Sequence, residues 1–126
     1  EGGTTYSGSV TSTDYQVILG TAGFTLSGTN TSDLFSIIML DPSGAITTGQ
    51  TYSSAASRSG WTYNLPGGDI WSANTGQANT DINFTNVTHD VANKTITADF
   101  SGTVRDNNGA GNVHTITEGN FSATYQ

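Results

Sequence analysis

Between Lys94 and Val104 apolar and polar residues alternate without a break. Ile96, Ala98, Phe100, Gly102 and Val104 fall on one side, and Thr95, Thr97, Asp99, Ser101 and Thr103 on the other. Period-two alternation marks a strand with one face in a core and the other in water. The same reading predicts strands at 15–19, 23–27, 61–65, 70–73, 80–88, 113–117 and 120–125, with weaker ones at 5–12 and 51–53. Residues 34–40 are nearly all apolar, the pattern of a central strand covered on both faces. In 80–88 the spacing of Ile82, Phe84 and Val87 slips phase, which predicts a bulge. No stretch keeps a helical period; the nearest candidate, 33–39, is too short.

Turn chemistry separates these runs. Asp41-Pro42-Ser43-Gly44 fits a type I turn, and Leu65-Pro66-Gly67-Gly68 a type II turn joining 61–65 to 70–73 as a hairpin. Asp106-Asn107-Asn108-Gly109 turns the chain before 113–125, and Gly119 is expected to let that last segment kink and re-enter the sheet. Residues 44–60, rich in Ser, Thr and Ala, read as a loop or irregular edge. Nine to eleven short strands at close spacing point to an all-β fold, an antiparallel β-sandwich of about 8–10 strands. Residues 1–126 form a single domain, with 1–12 as an extended N-terminal strand or arm.

Composition narrows the partners. Three basic residues (Arg58, Lys94 and Arg105) face ten acidic ones, a net charge of -7. Nucleic acid and anionic membrane surfaces both need clustered Lys and Arg, so neither is an expected partner. The longest apolar run is far short of a membrane span, so no membrane insertion is expected. There is no Cys, hence no disulfide and no thiolate metal site. Ser and Thr together make 36 residues, Gly 16 and Asn 11, while Lys and Glu are nearly absent. That balance suits an exported β protein, secreted or held at the cell surface. Five N-x-S/T triplets start at Asn30, Asn83, Asn86, Asn93 and Asn120. They are possible glycosylation positions, though a chain this rich in Ser and Thr produces several by chance.

The segments Asn93-Lys94-Thr95-Ile96, Phe100-Ser101-Gly102-Thr103 and Thr117-Glu118-Gly119-Asn120-Phe121-Ser122-Ala123-Thr124-Tyr125 carry a likeness. They resemble small Bacteroidetes-type exported and lipoprotein β-domains of unknown function, which close on a similar strand–turn–strand pattern. The resemblance covers the last third of the chain, with Ala98 where those domains often have Gly and without their upstream lipidated Cys. It implies a β fold and export, and no chemistry.

Candidate chemistry is thin. The two histidines, His89 and His114, do not flank a G-x-S-x-G nucleophile elbow, and Glu occurs only at Glu1 and Glu118. His89-Asp90 and His114 with Glu118 could form an imidazole–carboxylate metal site if their strands paired. Asp106-Asn107-Asn108-Gly109 resembles the start of a calcium loop but lacks its closing Glu. Both are more simply polar surface and turn chemistry, so no cofactor, metal or catalytic residue is expected. Trp61, Tyr63 and Trp71 cluster around the Pro66-Gly67 turn. They could form an aromatic platform for surface glycans, or serve as core, where Trp is usually found. The leading expectation is a non-enzymatic structural or adhesive module that partners itself. It would add its N-terminal segment as a strand to a neighbour's open edge.

Overall fold

Nine strands and no helix make up the described residues: β1 (Ser9–Ile18), β2 (Thr21–Thr29), β3 (Leu34–Asp41), β4 (Tyr52–Ser53), β5 (Gly60–Asn64), β6 (Ile70–Ala73), β7 (Asp81–Asp90), β8 (Thr95–Asp106) and β9 (Val113–Thr124). The structure is a computed structural model, and it describes residues 7–29, 33–54, 58–65, 67–74, 80–106 and 112–126. The all-β class follows from the alternation. Runs 113–117 and 120–125 are one strand, β9, and the confident run 15–19 is the upper part of a longer β1.

The strands run in the order β1-β2-β3-β5-β6-β8-β7-β4, with β9 against β8. Every pairing is antiparallel. All nine thus belong to one hydrogen-bonded sheet, where the sequence suggested the two sheets of a sandwich. The continuity comes from the length of β8. Along one edge it pairs with β7 from Thr95 to Thr103, and beyond that with β6 at Arg105 and Asp106. The sheet curls so that its two halves face each other. Phe24 on β2 stacks on Phe121 of β9, with ring centres 6.0 Å apart. Phe35 on β3 lies 5.7 Å from Phe100 on β8. These aromatics, with Met39, Ile82, Phe84, Ile96 and Val104, fill a single core.

Two irregularities in the β8 ladder are fixed by glycine. Gly102 has φ 145°, and a Cβ there would overlap the Asp81 carbonyl oxygen of β7. On the other edge the register skips between Phe100↔Gly119 and Gly102↔Ile116. The positive φ of this bulge belongs to Glu118 (56°), not to the expected Gly119. Gly119 is needed for a different reason: the Phe100 ring lies across its Cα, where any side chain would collide. The phase slip in β7 is real, a register shift between Thr85 and Thr88 with Asn86 at φ 51°.

Two other expectations change. β3 is interior in strand order, but Leu34 and Ile38 are exposed, because no layer covers the outer face of the sheet. In the β5–β6 hairpin the positive φ falls on Gly68 (100°) instead of Gly67. Gly68 N–H bonds the Leu65 carbonyl and Leu65 N–H bonds the Asp69 carbonyl. This is a three-residue hairpin loop ending in a left-handed glycine.

Candidate functional site

The two strands that begin and end the described chain are neighbours across a seam. Six antiparallel steps lead from β1 to β9, so they run in the same direction. Among the described residues they are joined by the Thr13 hydroxyl, which donates to the Thr124 carbonyl at 2.8 Å, and by Tyr15 stacked on Tyr125 at 4.8 Å. β1 is laddered to β2 and to no other described strand. Eight of its ten residues are exposed. Its alternation therefore fails to bury anything but half of Tyr15 and Thr13.

Beyond Thr13 the strand overshoots the end of β9. Five more residues carry it about 16 Å, at ~3.3 Å per residue, to a two-residue turn at Leu19-Gly20. Both turn residues have positive φ, 51° and 83°, the type I′ arrangement that matches strand twist and favours Asn-Gly or Gly-Gly. Leucine in that conformation costs roughly 1 kcal/mol. Leu19 is fully exposed, and Ile18 (62%) and Val17 (52%) are largely so.

Beside this hairpin the Tyr15 hydroxyl accepts from Ile46 N–H (3.2 Å). His89 Nδ1 donates to the Ile46 carbonyl (2.7 Å), which leaves Nε2 to accept from the Tyr125 hydroxyl (2.6 Å) in the neutral ring. Burial, then the nearby Tyr15 and Asp90, raise the Tyr125 hydroxyl above its ordinary pKa. A second polar lock sits in the same region. Tyr52 donates to Asp41 at 2.6 Å and accepts from Thr47 N–H at 2.9 Å. Burial and the Asp41 bond push the Tyr52 hydroxyl up to about 12. Burial would also raise Asp41, but its bonds from Ser43 and Tyr52 outweigh that and hold the carboxyl below its ordinary value.

The two histidines do not meet. His89 is opposite Ile96 and His114 opposite Val104 on β8, eight residues or about 26 Å apart. His114 Nε2 instead pairs with Asp106 at 2.9 Å, and its ring stacks on Trp71 at 4.2 Å. Alternation continues past Val104 and turns Asp106 inward, where its carboxylate also accepts from Asn112 N–H (3.2 Å). A buried acid one step beyond an apolar face, facing a His across a turn, was readable as this pair. The turn reading of Asp106 hid it. Among the described residues no three His, Cys, Asp or Glu side chains gather as a metal site. The calcium-like loop at 107–109 lies outside the described residues.

Trp61, Tyr63 and Trp71 do share one face of the β5–β6 hairpin, with Tyr63 and Trp71 opposite each other. That face is the inner one, and all three are buried, at 4%, 6% and 6% exposure. They therefore present no ring face to a sugar, and the platform expectation is corrected. Trp61 Nε1 is buried without a hydrogen-bond partner among the described residues. On the outer face a shallow hollow of about 370 Å³ lies over Ile38, where Gly60 supplies no side chain. No ionisable group lines it.

Of the glycosylation positions, Asn86, Asn93 and Asn120 are exposed and Asn83 is half-buried in β7. The Asn86 amide donates to Asp99 (2.8 Å) and that of Asn93 to Asp90 (2.7 Å). Asn30 lies outside the described residues. Among known proteins, no family model matches the chain, and neither a curated protein nor a solved structure gives a match.

Proposed function

We propose that this chain is a non-enzymatic extracellular structural or adhesive module that assembles with copies of itself by β-strand addition through its N-terminal segment. The observation that carries this reading is the edge strand β1. From Asp14 to Ile18 it offers backbone on the side away from β2, and one bulge at Thr11 is its main irregularity. Natural sheets protect such edges with Lys, Pro or covering loops. β1 has no Lys, Arg or Pro, and carries exposed Val10, Val17 and Ile18. The eight residues ahead of β1, Gly-, Thr- and Ser-rich and without a basic group, suit an added strand whose affinity comes from main-chain hydrogen bonds. Export is supported by composition and by the likeness of the C-terminal third to exported domains.

Deletion of residues 1–8 tests the reading, because β1 begins at Ser9 and the sheet stays whole. Full-length protein is expected to form concentration-dependent oligomers or filaments in light scattering and electron microscopy. The truncated protein is expected to remain monomeric. Equal assembly by both would refute strand addition through this segment.

A further inference from the structure

The exposed large apolar side chains are not scattered. Val17, Ile18 and Leu19 form the tip of the β1–β2 hairpin, while Val10 (42%), Leu34 (45%) and Val113 (47%) lie at the opposite end of the sheet. The register fixes those ends. Ser9 pairs with Thr29 at the far end of the hairpin from Ile18↔Thr21, and Phe35 next to Leu34 pairs with Gly28. Val113 is eleven residues below Thr124, which sits level with Thr13.

Leu19 breaks two local rules at once. A bulky side chain occupies a left-handed turn position where Asn or Gly is the low-energy choice. A fully exposed leucine also gains nothing from burial. No contact within the chain compensates either. Charge does not oppose a contact there: of the net -7, the described ionisable groups closest to this end of the fold are Asp41, which is buried, and Asp90 with Lys94. A single Lys is too little for an anionic lipid surface.

We propose that the Val17–Leu19 tip docks on the opposite apolar end of a second copy of this chain, against Leu34 and Val113. This deepens the self-assembly reading and rests on it. Contact between two different patches is heterologous, so it does not close on itself and propagates as an open filament.

Leu19→Asn is the informative variant, because Asn tolerates the left-handed turn. It is expected to fold with an unchanged or raised melting temperature while weakening self-association at least tenfold in sedimentation velocity. Leu34→Thr is expected to weaken association to a similar degree. Mixing the two variants is expected to yield a capped dimer, since one intact tip and one intact receiving end remain between them. Unchanged association in Leu19→Asn overturns the proposal, as does a mixture with no more dimer than either variant alone. Tip-dependent co-sedimentation of the wild type with phosphatidylcholine vesicles would reassign the tip to lipid and likewise overturn it. If deletion of residues 1–8 abolishes assembly while Leu19→Asn does not, strand addition stands and the tip contact falls.

Discussion

β8 and β1 are strands of similar length with opposite fates. β8 alternates and buries every second residue from Ile96 to Asp106 save the glycine, because it has a strand on both edges and an opposing half-sheet above its inner face. β1 alternates too, yet Val17 faces the same way as Tyr15 and stays exposed. Alternation thus states which residues share a face. Neighbours decide whether the face is covered. The exposed apolar groups of β1 are therefore not a failed core. They sit where no element of the fold reaches, the position from which intermolecular contacts are made.

The contrast predicts steeply unequal responses to substitution. The largest effect belongs to β8. Gly102→Ala forces a Cβ into the Asp81 carbonyl at a φ that side chains avoid, and should destabilise by about 3–5 kcal/mol in urea titration. A loss below 1 kcal/mol would mean that β7 and β8 separate easily there. Next comes the Asp41–Tyr52 lock. Tyr52→Phe leaves the Asp41 carboxylate without its buried donor and should cost about 1–3 kcal/mol.

The pH profile should show the lock as well. Asp41 is held below its ordinary value, so the folded state favours the carboxylate; that stability is present above about pH 4 and is lost as pH falls through the lowered value. Tyr52 is raised to about 12, so its contribution is complete below pH 10 and is lost as pH climbs toward 12. Tyr52→Phe should shrink the acid limb and remove the share of the alkaline limb that Tyr52 supplies, as followed by circular dichroism. The smallest effect lies on β1. Leu19→Asn should leave the monomer within about 1 kcal/mol of wild type, on the stabilising side, as relief of the left-handed leucine requires.

The sequence made β8 legible to the residue because Thr on one face and apolar groups on the other leave a single phase. It also announced the β7 bulge and the shared face of Trp61, Tyr63 and Trp71. It could not announce that this face points inward, since an aromatic hairpin reads alike as core or platform until the opposing half-sheet is present. The His114–Asp106 pair was obscured by the turn-like Asp106-Asn107-Asn108-Gly109, and Leu19 was read as an ordinary inward position of a strand. A hairpin tip without Asn or Asp gives no local turn signal beyond its single glycine. Its left-handed leucine is set by the pairing of Ile18 with Thr21 and not by propensity.

The parallel course of β1 and β9 has a mechanical consequence. The described chain enters at one end of the sheet and leaves at the other. Tension applied along that line pulls β1 past β2 and β9 past β8, so both ladders are loaded in shear, with their hydrogen bonds strained together instead of being opened one by one from a tip. Nine register pairs resist at one end and ten at the other. A string of such units joined end to end would be stiff under traction along its own axis, and weak only to a force that peels β1 outward from its Leu19 turn.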